Sequence, residues 1–165
     1  MKYISYYSSP LGEILLAADE IGLTGLWFEN QKFYGCGLEK LAVQKETESI
    51  KKAKQWLDEY FSGIEPDFSV PLHFIGTDFQ IEVWNILCKI PYGKTNSYDE
   101  IARIISRKRE ALLSPQAVGS AVARNKISII VPCHRVVGTD GSLKGYAGGL
   151  DRKSFLLELE KNSCR

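Results

Sequence analysis

The chain has 165 residues, 44% of them hydrophobic and 25% charged, which is the balance of an ordinary globular protein with one domain or two small ones. No run approaches the roughly 20 apolar residues that span a bilayer. The first six residues also lack the apolar region of a signal peptide. We therefore expect neither a membrane protein nor a secreted one.

The spacing of the cysteines and the placement of charged residues narrow the class of protein further. Cys36, Cys88, Cys133 and Cys164 show no CxxC spacing, so we expect no zinc site, no disulfide framework and a reducing, cytoplasmic location. Residues 1–75 carry seven Lys and Arg against eleven Asp and Glu, whereas residues 76–165 carry fourteen against nine. A basic second half suits a polyanionic partner, although ordinary solvated surface charge explains it equally well.

The first part of the chain is predicted to form a small antiparallel sheet followed by a helix. Segments 3–8, 12–18 and 23–28 are rich in strand-forming residues and are separated by turn residues. The spacing of Ile50, Ala53, Leu57 and Phe61 predicts a helix over residues 44–61. Because this half contains no cluster of acidic residues, histidines or cysteines, we interpret it as a scaffold.

The second half is predicted to be mostly helical. An apolar stripe predicts a helix over residues 79–90, and Ser97 with Glu100 forms the pattern of a capping box at the start of the next helix. Ser114 and Pro115 are a further start signal, opening a helix over residues 116–124 that is rich in small side chains. Two such helices suggest a helix-turn-helix, although tight packing inside the domain accounts for the small residues equally well.

The last predicted helix, residues 151–161, places two polar side chains together. Lys153 and Glu160 are seven residues apart and project in the same direction, beside a predicted core face of Phe155, Leu156 and Leu159. The preceding loop, residues 138–149, contains five glycines. Such a loop allows the backbone to approach a ligand, but a plain surface turn needs no ligand.

A Cys-His pair follows the apolar segment at residues 129–131. Cys133 and His134 lie within Pro132-Cys133-His134-Arg135-Val136-Val137. A thiol becomes a strong nucleophile as a thiolate, which requires a nearby base or positive charge. The local pattern alone leaves open whether Cys133 is a nucleophile or a small buried hydrophobic residue. If the segment is extended, neighbouring side chains point to opposite sides, and a water or a turn must couple Cys133 to His134.

Together these segments resemble the O6-alkylguanine-DNA alkyltransferases, or methylated-DNA–protein-cysteine methyltransferases. The resemblance is dense over residues 79–160. Its elements are Phe79-x-x-x-Val83-Trp84-x-x-Leu87, Ile90-Pro91-Tyr92-Gly93, Ser97-Tyr98, Ala117-Val118-Gly119-x-Ala121-x-x-x-Asn125, Val131 to Val137, Gly145-Tyr146-x-Gly148-Gly149, Lys153, Leu156-Leu157 and Glu160.

The resemblance implies an α/β (α+β) fold with two domains. Residues 1–75 would form a ribonuclease-H-like scaffold, a small antiparallel sheet with a helix. Residues 76–165 would form a winged-helix-like domain that contains the helix-turn-helix.

The implied activity is repair of double-stranded DNA by single-turnover transfer of an alkyl group from O6-alkylguanine, with O4-alkylthymine a further candidate. The base would be flipped out of the duplex, and Cys133 would become an irreversible thioether. His134 would take the thiol proton through a water while Glu160 orients the imidazole. The other residues with implied roles in catalysis are Tyr98 beside the flipped base, Asn125 bracing the turn and Lys153 polarising the site.

The resemblance also implies a minor-groove DNA interface and a guanine pocket. The implied DNA-binding residues are Gln116, Ala117, Gly119, Ser120, Ala121, Arg124, Arg135 and Thr139. The implied pocket residues are Val136, Tyr146, Ala147 and Gly148. We expect no cofactor, no metal and a monomer that is cytoplasmic, nucleoid-associated in a prokaryote and nuclear in a eukaryote.

The sequence departs from the family at three places. Gln116 stands where an intercalating arginine is usual, the connection over residues 107–113 is longer than usual, and Lys126 replaces a proline.

Three other functions compete with this one. The first is a protein of the same architecture that binds alkylguanine without transfer; such relatives lack the cysteine that this chain has at position 133. A sequence-specific regulator would use the helix-turn-helix but leave Cys133, His134 and Glu160 idle. A cysteine hydrolase would need an oxyanion hole, for which the sequence gives no signal.

Overall fold

A four-stranded sheet forms the first part of the chain in the computed structural model, which describes residues 1–38 and 41–163. Its strands are β1 (Tyr3–Ser9), β2 (Gly12–Ala18), β3 (Leu23–Phe28) and β4 (Val43–Gln44), in the order β3-β2-β1-β4. The first three form the predicted antiparallel meander. Strand β4 was not predicted, because two exposed residues that pair parallel to β1 leave no alternating pattern in the sequence.

Helix α1 (Glu48–Phe61) packs against this sheet and starts four residues later than predicted. The side chain of Thr47 caps it by accepting a hydrogen bond from the backbone N–H of Ile50 (3.3 Å). Residues 43 and 44 are therefore free to pair with β1. The predicted apolar face is buried at Ile50, Ala53 and Leu57, and Tyr60 is buried with it.

Up to residue 163, the second half contains four α-helices and a two-strand parallel pair. They are α2 (Asp78–Leu87), β5 (Asn96–Ser97), α3 (Tyr98–Arg109), α4 (Pro115–Ala123), β6 (Val136–Val137) and α5 (Leu150–Ser163). The start signals at Ser97 and Ser114 are confirmed, since each side chain accepts a hydrogen bond from the backbone N–H three residues later. A full capping box occurs instead at Thr77 and Gln80, ahead of α2. Helices α3 and α4 pack against each other, and their use as a helix-turn-helix stays a prediction.

One hydrophobic core joins the two halves. Leu26 of β3 donates a backbone hydrogen bond to Lys126 (2.8 Å) and accepts one from Ser128 (3.0 Å), so the second half continues the edge of the sheet. The mixed α/β fold class is confirmed. The division into domains at residue 75 stays a prediction. Within the two described stretches, none of the helices has the length and apolar character that crossing a membrane requires.

Candidate active site

The segment that carries Cys133 is held by a buried asparagine. Asn125 donates from Nδ2 to the carbonyls of Ile127 (3.2 Å) and Val131 (2.9 Å) and accepts from the N–H of Ile127 (3.0 Å). Ile129, inside this turn, has φ of 70°, a left-handed conformation that costs a β-branched residue roughly 1–3 kcal/mol. The asparagine network therefore stabilises a strained turn that leads to the cysteine.

Residues Cys133–Arg135 form one turn of 3₁₀ helix, which corrects the extended segment expected from the sequence. The N–H of Arg135 donates to the carbonyl of Pro132 (3.0 Å). With three residues per turn, successive side chains point about 120° apart. Cys133 consequently faces a cavity, while His134 and Arg135 turn into the protein.

His134 and Glu160 form a fully buried pair. The distance from His134 Nε2 to Glu160 Oε2 is 2.6 Å, and the side chains are 0% and 1% exposed. The same carboxylate accepts hydrogen bonds from Arg135 Nε (2.8 Å) and Nη2 (3.1 Å), the N–H of Gly93 (3.0 Å) and the Tyr60 hydroxyl (2.6 Å). A carboxylate with this many donors is stable as an anion without solvent.

The electrostatics of this pair determine the protonation state and the tautomer of the His134 imidazole. Burial opposes ionisation of Glu160, but hydrogen bonds from His134 and Arg135 and the charge of Arg135 hold its pKa well below its usual range. An ionised carboxylate only accepts hydrogen bonds, so we assign the proton of neutral His134 to Nε2. Burial lowers the pKa of His134 below its usual range, so the imidazole is neutral near pH 7. Its Nδ1 is buried without a hydrogen-bond partner among the described residues and is free to act as a base.

Cys133 rests as a thiol. It is 5% exposed, and burial raises the pKa of the thiol, although Asn125 and the charge of Lys153 oppose that rise. Such a thiol needs a base at the moment of reaction.

Lys153 is buried on the same face of α5 as Glu160, as the seven-residue spacing predicts. Its Nζ donates to the carbonyl of Val136 (2.6 Å) and more weakly to the carbonyls of residues 144 and 145 (3.4 Å each). Burial lowers the pKa of Lys153 to about 8. The predicted core face of α5 was wrong at Phe155, which is 40% exposed because this helix turns a polar face inwards.

An open cavity of about 480 Å³ lies beside the thiol. Its lining is mostly apolar, and its size is within the range of small-molecule sites. It is lined by Lys32, Phe33, Tyr98, Pro115, Gln116, Gly119, Val122, Ala123, Cys133, Lys144, Gly145, Tyr146 and Ala147. Of the predicted pocket residues, Tyr146 and Ala147 lie in this wall. Val136 and Gly148 lie behind it, and their carbonyls bind Lys153 and Arg152.

Most predicted DNA-binding residues are accessible to solvent. Gln116, Ser120, Arg124 and Thr139 are exposed, and Ala117 and Gly119 are half-buried. The hydroxyl of Thr139 donates to the carboxylate of Asp99 at the start of α3. The role of these positions in DNA binding stays a prediction.

Two predicted DNA-binding residues are corrected by the structure. Arg135 is 7% exposed, and its guanidinium binds Glu160 and the carbonyl of Ile90 (2.7 Å), so it is not available to a phosphate. Ala121 is 3% exposed because it faces α2, where its carbonyl accepts a hydrogen bond from Trp84 Nε1 (2.9 Å).

Sequence reasoning missed the contribution of the first half to this site. Tyr60 of α1 binds Glu160, and Lys32 and Phe33 line the cavity. The N–H of Lys32 also donates to the carbonyl of Ala147 (3.1 Å), and Arg124, directly after α4, stacks over Phe33 at 4.2 Å. No local pattern marks these residues, because each acts through partners about 90 to 115 positions away.

The same family is identified by two family models. Residues 78–162 match the model described as "6-O-methylguanine DNA methyltransferase, DNA binding domain". Residues 2–74 match the model described as "6-O-methylguanine DNA methyltransferase, ribonuclease-like domain".

Individual relatives are similar to this chain over almost its whole length. A methylated-DNA–protein-cysteine methyltransferase of Methanosarcina barkeri is 44% identical over 99% of both chains. The constitutive enzyme of that name from Bacillus subtilis is 40% identical over 100% of this chain and 99% of its own. OGT of Mycobacterium tuberculosis, crystallised in complex with DNA, is 40% identical with a TM-score of 0.85 over 98% of this chain and 94% of that one. The chain therefore belongs to the 6-O-methylguanine DNA methyltransferase family.

Proposed function

We propose that this protein repairs DNA by moving the alkyl group of O6-alkylguanine onto Sγ of Cys133. The observation that carries the proposal is a buried thiol in the wall of a cavity of about 480 Å³, next to a His134–Glu160 pair. Its relatives of 40–44% identity are named methylated-DNA–protein-cysteine methyltransferases, which supports the same reaction class.

The reaction is a displacement at the alkyl carbon. Cys133 passes its proton to Nδ1 of His134 through one bridging water, and the thiolate forms a carbon–sulfur bond as the carbon–O6 bond breaks. Guanine leaves with the electron pair, and the Tyr98 hydroxyl in the cavity wall supplies a proton or hydrogen bond. Lys153 favours the thiolate through its charge. The thioether product cannot be reversed by any group among the described residues, so each molecule acts once.

DNA reaches the cavity over α4. The O6 substituent of a stacked guanine is inaccessible, so the base must be flipped out of the duplex. The small side chains of α4 suit a minor groove that is only about 6 Å wide. We propose double-stranded DNA as the partner, a monomer as the acting species, and the compartment that holds the genome as the location.

Measuring alkyl transfer against protein concentration tests the proposal. With excess duplex containing labelled O6-methylguanine, the label transferred should reach one equivalent per protein and stop. Cys133→Ser should transfer nothing, whereas the matched control Cys88→Ser, which changes an exposed thiol, should behave as wild type. Cys36 is exposed as well, and Cys164 lies outside the described residues.

The non-catalytic alternative predicts a different outcome. Wild-type protein would then bind the modified duplex stably while its own mass and the duplex stay unchanged.

A further inference from the structure

Tyr60 connects the first half of the chain to the proton relay, by which we mean the path from Cys133 through a water to His134 and Glu160. The side chain is 0% exposed, and its ring stacks on Trp56 (5.2 Å, 11°) and meets Tyr92 edge-on (6.1 Å, 81°). These contacts hold the ring in one orientation. The hydroxyl therefore reaches Glu160 from a rigid position on α1.

The Tyr60 hydroxyl shares one carboxylate oxygen with the imidazole. Oε2 of Glu160 accepts from Tyr60 Oη at 2.6 Å and from His134 Nε2 at 2.6 Å. Burial and the neighbouring carboxylate raise the pKa of Tyr60, so the hydroxyl keeps its proton and donates. Oη and Nε2 are 3.5 Å apart, which is the separation of two donors aimed at one acceptor.

We infer that Tyr60 is a positioning residue of the proton relay. Its hydroxyl limits how strongly Glu160 stabilises the protonated, positively charged form of His134. An additional donor draws electron density from Oε2 and weakens its attraction for an imidazolium. The inference rests on the proposed function. The titratable and charged groups around the imidazole are Glu160 and Lys153 on α5, Cys133 and Arg135 on the 3₁₀ turn, Tyr60 on α1, Tyr92 before β5 and Tyr146 in the glycine-rich loop.

Tyr60→Phe tests this role because it removes the hydroxyl and keeps the ring. Without this donor, the carboxylate of Glu160 attracts a positive charge more strongly. It therefore stabilises the imidazolium form of His134, and the pKa of His134 rises. Neutral His134 is the base, so the fall in transfer rate on the acid side should move to higher pH by about one unit, and the rate on that side should drop about tenfold. The alkaline plateau should change by less than about threefold.

Tyr7→Phe is the matched control. The Tyr7 hydroxyl also donates to a carboxylate of α1, Asp58 Oδ1 (2.7 Å), but away from the relay. Its pH profile should equal that of wild type. Rates are measured with free O6-benzylguanine, which needs no DNA binding or base flipping.

Three results separate the outcomes. An unshifted acid limb in a folded Tyr60→Phe protein overturns the inference, and so does an equal loss of rate at every pH, since that indicates a purely structural role. A wild-type protein that takes up neither a benzyl group from the free base nor a methyl group from O6-methylguanine duplex overturns the proposed function instead.

Histidine ring ¹⁵N NMR of the wild type covers the case in which Tyr60→Phe fails to fold. The chain has two histidines, so His73→Gln assigns the spectrum. His134 should stay neutral and protonated at Nε2 near pH 7, and an imidazolium at that pH would contradict the inference.

Discussion

At the scale of single residues, the direction in which a side chain points decides its role more than its position in the sequence does. Cys133 and His134 are neighbours, yet the 3₁₀ turn sends one into the cavity and the other to Glu160. The thiol keeps its proton at rest because burial raises its pKa, while burial keeps His134 neutral. The site therefore holds an uncharged acid and an uncharged base until the substrate arrives.

His134→Ala and Glu160→Gln should slow transfer by roughly 10²–10⁴-fold and change the DNA dissociation constant by less than about threefold, because they act on proton removal. In the wild type the rate should fall as pH drops through the pKa of His134, which lies below the usual histidine range. Stopped-flow rates over a pH series and binding titrations measure both quantities. A wild-type rate in His134→Ala would contradict the assigned relay.

Gln116 is the residue at which this chain departs most clearly from its family. It is exposed at the start of α4, and it also lines the cavity. Gln116→Ala should impair reaction with paired O6-methylguanine and spare reaction with free O6-benzylguanine, which needs no flipping. Rapid-mixing experiments on both substrates decide this. Equal losses would mean that Gln116 supports the pocket or the fold.

The sequence predicted some of these residues well and others poorly. Cys133, His134, Glu160 and Lys153 lie close together as expected, because a motif and a seven-residue helical spacing fix their neighbours, and their catalytic roles stay predictions. Arg135 was misplaced because the identity of a loop arginine says nothing about its direction, which here follows from the buried charge of Glu160.

At the scale of elements, the last turn of α3 and the connection that follows it form a projection that is basic at its base, because residues 107–109 belong to α3 and not, as the sequence had suggested, to the connection. Arg107 and Lys108 are exposed in the last turn of α3, and Leu112 is 99% exposed beyond it. Arg109, in contrast, is held by Glu82 (2.6 Å) and Phe79. Residues 112, 113 and 115 line a groove that adjoins the cavity through Pro115, so the projection lies beside the predicted DNA surface.

Changing Arg107 and Lys108 together to Gln should weaken binding to every duplex alike, because interactions with phosphates carry no sequence information. Each cation that no longer neutralises a phosphate should lower the slope of log affinity against log salt by about 0.9. Lys52→Gln on the exposed face of α1 is the control and should leave the slope unchanged. An unchanged slope in the double variant would place the projection away from DNA.

The residues at which helices start were easier to predict than the contacts that elements make with distant partners. The caps at Ser97 and Ser114 use local hydrogen bonds, which the sequence reveals. The two-residue strand β4 and the burial of Ala121 depend on distant partners, so no window of sequence contains them.

At the scale of the whole molecule, Arg152 joins the halves around the site. Its guanidinium donates to the carbonyls of Leu11 (3.1 Å), Glu29 (3.0 Å) and Gly148 (3.2 Å) and stacks over Phe28 at 4.8 Å. The first half was interpreted as a scaffold, but these contacts and Tyr60 make it part of the active-site wall. Sequence patterns do not reveal such contacts, because the partners in the first half lie about 100 or more positions away along the chain.

Arg152→Ala should lower the free energy of unfolding by roughly 1–3 kcal/mol, since carbonyls of both halves lose a charged donor. Transfer should slow as well, because the loop that carries Tyr146 and Ala147 loses support. Arg103→Ala, which breaks an exposed pair with Glu100, should cost no more than about 1 kcal/mol. Urea unfolding compares the two. Equal small losses would show that Arg152 does not join the halves.

The central claim is that Cys133 itself receives the alkyl group. Intact mass spectrometry after mixing with an O6-methylguanine oligonucleotide, followed by peptide mapping, tests it most directly. We expect every protein molecule to gain one methyl group, located on Cys133, and unmodified guanine to remain in the DNA. A methyl group on Cys36 or Cys88, or an unmodified protein with repaired DNA, would contradict it.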